Sequence, residues 1–578
     1  MSLEETKAQL LAVGNVRKDL LSKIAELSFQ EVRTEEYLAE ALSQLHNSGE
    51  IDLVELVKDG SDGFSGHRFF KILYVFEQAL PSLEVDIESV LSCLVCLKKK
   101  AGRDLFLGRF YSAFQNYCRM DEKRPDVGIQ FILSQDDLND YVSFLSSSLL
   151  AFQPDNFVSA IQIIERLIIH EDRSVRNEAY LALGRLDVDD AQVGKVWGLI
   201  CARAKSEKDN TCLASLLLAM LHHGARFPSY WQEVEKLLEE YLDVVSPEVQ
   251  YEISDIVAFR RVDLSGNILQ FLLKKLADVS PKDNRVVQNI DYALVELCTQ
   301  SLPHLAVDLL ESSLINGVSV KSLNYFSNEL VDKHRELFEQ LVTKWFLSGK
   351  GSLCNAVFEL LHDDLEEDVT FKVDMSVLDD DEKQLYVCRK AVGWLFTKPI
   401  SAASFILSIY DSASAIIKKE VEQLLYDPLL MSYPGKVRDF FQESITQGVY
   451  AEVCERLLSR FSEYHEKLEK IRGLKELRAP AEDLNTYWKD FGRRMRQAQD
   501  EGPKPFFKEI CTVQNLLYGN TSVYYQYDGS GTPVRQEMQM KSFSHSAEMP
   551  VLNILDAERL DYQLRVYRHE IIKDETDS

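Results

Sequence analysis

Apolar residues recur with a period of 37 residues along the middle of the chain. Steps of 37 from Asp172 define five anchors: Asp172, Asp209, Ser246, Asp283 and Val320. Of the twenty positions three, seven, ten and eleven residues after these anchors, nineteen are apolar, against roughly nine expected from the composition. This spacing places the positions on one face of an α-helix, so each period is predicted to contain an amphipathic helix. The frame extends backward to residue 135, covers 135–332, and fails at its next forward step, where it meets an acidic segment.

A second helix is predicted upstream of each anchor. The candidate segments are Phe157–Leu167, Val193–Ala204, Trp231–Leu242, Ile268–Leu276 and Leu305–Leu314. Four of the five anchors are Asp or Ser, whose side-chain oxygens can accept from the free N–H groups of a helix start, so these four are predicted N-caps. Two helices with one apolar face each cannot bury those faces alone, and the repeat therefore predicts stacked helix pairs.

One period carries a family signature. After Asp172 the chain reads Val175-Arg176, then Ala179, then Ala182-Leu183-Gly184-Arg185-Leu186. This pattern resembles the second helix of HEAT and HEAT-like repeats. The resemblance covers about a third of the chain, residues 135–332, and implies an α-solenoid there. In that family the position of Arg176 more often serves packing between repeats than ligand binding.

The flanking regions are also predicted to be helical. Residues 1–134 form an irregular N-terminal region with helices at Leu10–Leu27, Glu35–Leu45 and Phe69–Leu80. Residues 333–478 form a further helical region, in which helices at 334–347 and 352–361 precede an acidic loop at 362–382. Within that loop Val369–Leu378 is predicted to contain one short strand, and helices resume from Lys383 to about Leu477.

The last hundred residues differ in character. Residues 478–481 have the composition of a linker and precede a polar helix predicted at Leu484–Ala498. From residue 522 polar and apolar residues alternate around a Gly/Ser/Pro turn, which predicts a β-hairpin. Val551–Leu555 and Gln563–His569 are candidates for two further strands. The predicted fold is therefore all-α for most of the chain, a HEAT-like α-solenoid with a small α+β C-terminal module at 479–578.

Composition narrows the classes of partner. The formal net charge of −27 disfavours general binding to nucleic acid and to anionic membranes. Both surfaces are negatively charged, so a polyanionic protein gains no free energy from electrostatic attraction or counterion release there. The sequence contains no long uncharged apolar run and no basic stretch leading into one at its start, so neither a membrane span nor a secretory signal is expected. The ten cysteines are scattered, mostly within apolar helical runs, as expected of thiols in a reducing cytoplasm.

Two motifs suggest metal or redox chemistry, and each has a simpler interpretation. Cys93 and Cys96 have the spacing of half a zinc or redox site, but no second pair of soft ligands follows, so packing in a helix core is favoured. His222 and His223 are adjacent and point about 100° apart on a helix, which makes joint chelation of one metal difficult.

Two charged segments are also better explained as solvated surface. The acidic clusters 363–368 and 379–382 lack the glycine-turned loop of a calcium site; a dock for a basic partner is the weaker alternative. Residues 460–496 mix basic and aromatic residues, as nucleic-acid surfaces do, but neighbouring acids nearly cancel their charge. No hydrolase, phosphate-loop, dinucleotide or zinc-protease motif is present, and no catalytic residue, metal or cofactor is predicted.

These features favour a cytoplasmic, non-enzymatic scaffold or adaptor that presents a preorganised surface to a protein partner. The residues predicted to bind the partner are Arg176, Arg185, Tyr487, Trp488, Arg493, Arg494, Tyr525 and Tyr527. One alternative resembles the HEAT-like DNA glycosylases, which cradle damaged DNA on a basic concave face; the negative charge is against it. A second alternative is a component of a bacterial defence or toxin–immunity assembly, which the composition permits.

Overall fold

The structure is a computed structural model of the 578-residue chain. It describes residues 2–13, 16–30, 35–60, 66–101, 107–152, 156–242, 245–259, 262–362, 368–471, 473–474, 486, 489, 493, 521–527, 533–539, 548, 550–551 and 557–572. The chain divides into two compact units, Met1–Val318 and Ser319–Ser578. The fold is predominantly helical, as predicted. The unit boundary lies inside the predicted repeat region, and the four predicted regions stay predictions.

Unit 1 begins with eight helices in its described part, which share one apolar core. They are α1 (Leu3–Ala12), α2 (Arg17–Gln30), α3 (Glu35–Asn47), α4 (Leu53–Gly60), α5 (Gly66–Ala79), α6 (Ile87–Ala101), α7 (Leu107–Arg119) and α8 (Arg124–Leu133). The helices predicted at Glu35–Leu45 and Phe69–Leu80 are confirmed. The single helix predicted at Leu10–Leu27 is wrong, because α1 ends at Ala12 and α2 begins at Arg17.

Ten more helices complete unit 1 in the described residues. They are α9 (Leu145–Ala151), α10 (Phe157–Leu167), α11 (Arg173–Arg185), α12 (Val193–Ala204), α13 (Asn210–Arg226), α14 (Trp231–Tyr241), α15 (Pro247–Phe259), α16 (Gly266–Leu276), α17 (Asn284–Thr299) and α18 (Pro303–Ile315). The five predicted upstream helices correspond to α10, α12, α14, α16 and α18 and are confirmed.

The helices that follow the anchors pack against one another in order. Helix α11 packs between α9 and α13, α15 contacts both α13 and α17, and each of these helices also packs against a neighbouring even-numbered helix. All nineteen apolar positions of the 37-residue pattern are buried. Removing these faces from water is the main stabilising contribution, on the order of 25 cal/mol per Å² of apolar surface.

The predicted N-caps are confirmed at the first four anchors. Asp172 accepts the backbone N–H of Ser174 at the start of α11, and Asp209 accepts those of Thr211 and Cys212 at the start of α13. The Ser246 hydroxyl accepts Val249 N–H in α15, and Asp283 accepts two N–H groups in α17. Each cap satisfies donors that the helix itself leaves without partners.

Unit 2 contains a second group of helices. They are α19 (Asn324–Asp332), α20 (Arg335–Ser348), α21 (Gly351–His362), α22 (Asp381–Leu395), α23 (Pro399–Leu407), α24 (Ala415–Leu424), a π-helical turn (Leu425–Leu430), α25 (Lys436–Gln447) and α26 (Ala451–Ile471). The helices predicted at 334–347, at 352–361 and from Lys383 onward are confirmed within the described residues. Short 3₁₀ turns lie at Leu80–Ser82, Leu138–Asp140, Val142–Phe144, Pro228–Tyr230, Val320–Ser322 and Met375–Val377.

The short strand predicted within Val369–Leu378 is wrong. This segment is a loop that ends in a 3₁₀ turn at Met375–Val377. The N–H groups of Phe371 and Val373 donate to the hydroxyls of Ser404 and Ser408, so side chains replace the ladder that a strand would need.

The predicted hairpin is confirmed at the level of the backbone. Strands β1 (Thr521–Tyr527) and β2 (Pro533–Gln539) are antiparallel, with Thr521 opposite Gln539 and Tyr527 opposite Pro533. The strand predicted at Gln563–His569 is wrong, because Ala557–His569 form the C-terminal helix, which packs on α22. The strand predicted at Val551–Leu555 lies outside the described residues apart from Val551.

Two further observations concern the described residues of both units together. Within the described part of the protein, no helix has both the length and the apolar character needed to cross a membrane. The nine cysteines in that part are all free thiols.

Candidate functional site

Two aromatic side chains are exposed side by side on adjacent helices of unit 1. Phe259, the last residue of α15, is 53% exposed, and Tyr292 of α17 is 46% exposed. Their ring centroids are 5.8 Å apart. About two turns earlier on the same two helices, the guanidinium of Arg285 lies 5.1 Å from the ring of Tyr251. We call Tyr251, Phe259, Arg285 and Tyr292 the aromatic patch.

The repeat pattern explains why these side chains face outward. The buried stripe of each helix occupies positions three, seven, ten and eleven after its anchor, whereas Phe259 and Tyr292 lie thirteen and nine residues after theirs. At 100° per residue these positions point well away from the stripe. The sequence alone did not predict a role for Phe259 or Tyr292. The signal that could have found them is an aromatic residue that lies outside the apolar stripe of its helix.

Polar contacts between successive helices hold this part of unit 1 in register. Asn289 in α17 donates to the hydroxyl of Ser254 in α15 at 3.0 Å. Ser215 in α13 donates to the side-chain oxygen of Asn177 in α11 at 2.6 Å. These side chains are largely buried, so each contact must be kept once the helices have packed. The aromatic patch therefore lies on helices whose relative positions are fixed by buried polar contacts.

Arg176, one of the predicted binding residues, lies between two helix pairs. It donates through Nε and Nη2 to the Glu207 carboxylate at 3.0 and 3.2 Å, and through Nη1 to the carbonyls of His170 and Glu171. Burial acts to raise the pKa of Glu207, but hydrogen bonds from Arg176, two backbone N–H groups and Tyr180 outweigh it and lower that pKa to about 2. The guanidinium of Arg176 is thus engaged in contacts within the protein.

The other predicted residues are placed as follows. Arg185 is exposed at the end of α11, on the opposite side of that helix from Arg176, since nine residues span 900°. Arg493 is helical and exposed, whereas Tyr487, Trp488 and Arg494 lie outside the described residues.

The two predicted hairpin residues lie in β1. There the backbone of Tyr525 is paired with Arg535, and that of Tyr527 with Pro533. Their role in binding stays a prediction.

The histidine and cysteine motifs lie in packed surroundings. His223 is buried, stacked on Trp197 with ring centroids 5.3 Å apart and flanked by Phe227 and Tyr230. Burial, together with the nearby charge of Arg226, lowers the pKa of His223 to about 4, so the ring is neutral at neutral pH.

The thiols of Cys93 and Cys96 face the carbonyls of Val54 and Lys58 in α4. Burial raises the pKa of Cys93. Where the structure describes the chain, no group of three or more His, Cys, Asp or Glu side chains is arranged to hold a metal ion.

The acidic segments serve local structure at the positions that are described. Asp380 caps α22 by accepting Lys383 N–H, and Asp379 pairs with the Lys383 ammonium at 2.7 Å. The side chain of Asp368 is buried, accepts Ile400 N–H at 3.1 Å and lies within 4 Å of two lysine ammonium groups. Residues 363–367 lie outside the described residues.

A cleft of about 760 Å³ lies in unit 2 beneath the C-terminal helix. Helices α22 and α24 form its other walls, and the ion pair between Arg389 and Glu570 crosses its edge. Its lining residues are Leu385, Arg389, Glu420, Gln423, Leu424, Asp427, Arg559, Gln563, Val566, Tyr567, His569 and Glu570. The lining is open and mostly polar, without the apolar walls that usually enclose a small ligand.

Several hydrogen bonds hold Glu548 and the C-terminal helix against the rest of unit 2. Glu548 accepts the N–H groups of Gly435 and Lys436, at 2.6 and 2.7 Å, at the start of α25. The fully buried Lys390 donates to the carbonyl of Arg568 at 2.6 Å, and Arg568 donates to the carbonyl of Gly393 at 2.6 Å. We call the described residues 548, 550–551 and 557–572 the return segment.

The chain matches no protein-family model, no curated protein and no solved structure.

Proposed function

We propose that the protein is a non-enzymatic interaction scaffold that binds a protein partner through the aromatic patch of α15 and α17. The observation that carries the proposal is the exposure of Phe259 and Tyr292 side by side on helices that are otherwise packed. Aromatic and arginine side chains are enriched at the energetic centres of protein interfaces. Aromatic side chains bury much area with little loss of conformational freedom, and arginine contributes several hydrogen-bond donors and can stack on aromatic rings.

The proposed architecture around the patch is a HEAT-like α-solenoid. Support comes from the nineteen buried positions of the 37-residue pattern, from the recurring N-caps, and from the ordered packing of α9, α11, α13, α15 and α17. In such an array each helix pair is held by its neighbours, so a side chain on the outer face is presented with little further ordering cost.

Two of the predicted binding residues have different places in this proposal. Arg176 is assigned to packing, since its donors are engaged by Glu207 and by two carbonyls. Arg185 remains a proposed partner-binding residue, because its side chain is exposed. The hairpin remains a proposed second docking edge within an α+β C-terminal module.

The experiment is quantitative affinity capture from the native cell followed by mass spectrometry. A chain carrying Phe259→Ala and Tyr292→Ala is expected to recover at least about tenfold less partner than the parent chain. Truncation of a hot-spot residue typically costs about 2 kcal/mol or more of binding free energy. The matched control carries Ile169→Ala and Ile315→Ala, two side chains 65% and 50% exposed outside the patch, and should recover the partner normally.

Further arms of the experiment separate the alternatives. Equal recovery of the partner by the patch variant and the control would overturn the proposal that the aromatic patch binds it. A tight, salt-sensitive complex with labelled DNA would favour the nucleic-acid alternative instead. Replacing 521–539 by a Gly/Ser linker tests the hairpin without removing the return segment, which a deletion of 480–578 would do.

A further inference from the structure

Helix α26 carries an apolar seam that extends beyond its packed half. Six apolar residues follow one another at alternating spacings of three and four: Cys454, Leu457, Phe461, Tyr464, Leu468 and Ile471. This spacing is that of the a and d positions of a heptad, which places all six on one stripe that can pair with another helix.

The two ends of the stripe differ in burial. Cys454 and Leu457 are buried in the part of α26 that packs on α25 and the π-helical turn. Tyr464, Leu468 and Ile471 are 40%, 39% and 40% exposed. Removing apolar surface of this kind from water is favourable, so the outer half of α26 is suited to receive an apolar surface.

Basic residues border the exposed part of the seam. Arg460 and Lys467 occupy the flanking positions on one side. Arg460 is held against the unit, with its guanidinium 3.7 Å from the ring of Tyr426 and a hydrogen bond to Gln423 at 3.2 Å. The Lys467 ammonium extends into solvent, 3.8 Å from Glu463, and an exposed pair of this type screens its charge only weakly.

These charges argue against a second copy of the same helix as the occupant. In an antiparallel pair the flanking positions of one side face each other, so Arg460 would face Lys467 of the second copy. In a parallel pair Arg460 would face His465, the residue at the other flanking position. Neither arrangement offers a carboxylate to the basic border, and like charges across such a seam are unfavourable.

We propose that the outer half of α26, comprising Phe461, Tyr464, Leu468 and Ile471 with their basic border, binds an amphipathic helix of a partner protein. That helix has apolar residues at heptad spacing and Asp or Glu at the flanking positions. The site lies in unit 2 and is separate from the aromatic patch, so either surface can fail its test without the other.

The test uses two synthetic peptides of four heptads and the full chain. Both have Leu at the seam positions; one has Glu and the other Lys at the flanking positions, and the like charges keep each from pairing with itself. By fluorescence anisotropy, the Glu peptide is expected to bind at least tenfold more tightly than the Lys peptide. Leu468→Asp should weaken it at least tenfold, and Lys467→Glu should reduce or reverse the preference between the peptides. Ile416→Asp, at a residue 73% exposed on α24, is the matched control and should change nothing.

Three results would overturn the proposal. Equal or absent binding of both peptides would remove the acidic helix as the occupant. Sedimentation of the chain as a dimer that Leu468→Asp dissociates would assign the seam to a second copy. Slow alkylation of a Leu468→Cys thiol relative to an Ile416→Cys thiol, mapped by peptide mass spectrometry, would mean that another part of this chain covers the seam.

Discussion

The carboxyl group of Glu178 links the packing of unit 1 to pH. Glu178 on α11 accepts a hydrogen bond from the Ser146 hydroxyl on α9 at 2.6 Å. Burial raises the pKa of Glu178 to about 7, although that hydrogen bond and the charges of Arg185 and Lys98 act to lower it. The folded protein therefore holds a proton that the unfolded chain, with a pKa near 4.5, releases.

The sign of the resulting pH dependence follows from this difference. Between pH 4.5 and 7 unfolding releases the proton of Glu178, so the free energy of unfolding falls as the pH rises. Above pH 7 the total decrease in the free energy of unfolding due to Glu178 is about 3 kcal/mol. Glu178→Gln keeps an acceptor for Ser146 without a charge, and we expect it to be more stable than the parent at pH 8 and nearly equal at pH 4.5. Urea unfolding at both values measures this.

An exposed glutamate provides the control for Glu178→Gln. Glu171 lies just before α11, and Glu171→Gln should change the free energy of unfolding little at either pH. A stabilisation by Glu178→Gln of the same size at pH 4.5 and pH 8 would contradict the assignment, since it would then not arise from the titration of this group.

Residue by residue, the sequence was informative about burial and less so about binding. The nineteen apolar positions are buried because a helix with one apolar stripe has only one way to shield it. Phe259 and Tyr292 were missed because an aromatic side chain off the stripe has no periodic partner to reveal it. Arg176 was named as a binding residue although its donors reach Glu207, 31 positions along the chain, a contact that no local pattern encodes.

At the scale of elements, the caps were among the most predictable features. A helix start leaves N–H groups without partners, and an Asp or Ser at the preceding position satisfies them from within the same turn. A cap therefore depends only on residues close together in the sequence, and the caps at Asp172, Asp209, Ser246 and Asp283 could be predicted from the residue type alone. The absence of a capping side chain at Leu323, the residue before α19, coincides with the end of the 37-residue frame.

The contribution of a cap can be measured at α13. Asp209 accepts the N–H groups of Thr211 and Cys212 at 3.0 and 3.1 Å. We expect Asp209→Ala to lower the free energy of unfolding by about 1 kcal/mol and to speed amide exchange at both residues. Asp278→Ala removes an equal charge from an exposed position that begins no helix, and its effect should stay within about 0.5 kcal/mol. Indistinguishable results for the two variants would contradict the role of the cap.

The elements that were predicted wrongly depend on distant contacts. Gln563–His569 alternate apolar and polar side chains in part, which suggested a strand. Among the C-terminal helix residues whose burial is described, 558–569, only Leu564 is buried. That helix is held mainly by polar groups of α22, through Tyr386, Arg389 and Lys390, some 180 positions earlier in the chain. Short periodic signals cannot distinguish a helix from a strand when such contacts decide the outcome.

At the scale of the whole molecule, the return segment makes unit 2 depend on the end of the chain. The start of α25 takes its N-terminal acceptor from Glu548, more than a hundred positions later in the chain. A Cβ atom at Gly435 would lie 2.8 Å from that carboxylate, so the side chain of Glu548 would have to shift to admit it. A buried ammonium at Lys390 likewise relies on the carbonyl of Arg568, and burial lowers the pKa of Lys390.

This dependence predicts a response confined to one unit. In a chain that ends at residue 540, Lys390 loses its acceptor, α22 loses the helix that packs on it, and Gly435 and Lys436 lose the carboxylate of Glu548. Hydrogen bonds to charged groups contribute about 1.5–3 kcal/mol each, so amide exchange in α22 and at the start of α25 should speed up at least about tenfold. Exchange in α11–α17 should be unchanged.

The milder variant Glu548→Ala separates the two anchors of the return segment. It removes only the acceptor at α25, so exchange should rise at Gly435 and Lys436 while α22, still covered by the C-terminal helix, stays protected. Unchanged exchange at these two amides would mean that Glu548 does not hold the start of α25. Faster exchange throughout both units in the shortened chain would mean that the end of the chain stabilises the molecule as a whole and not unit 2 alone.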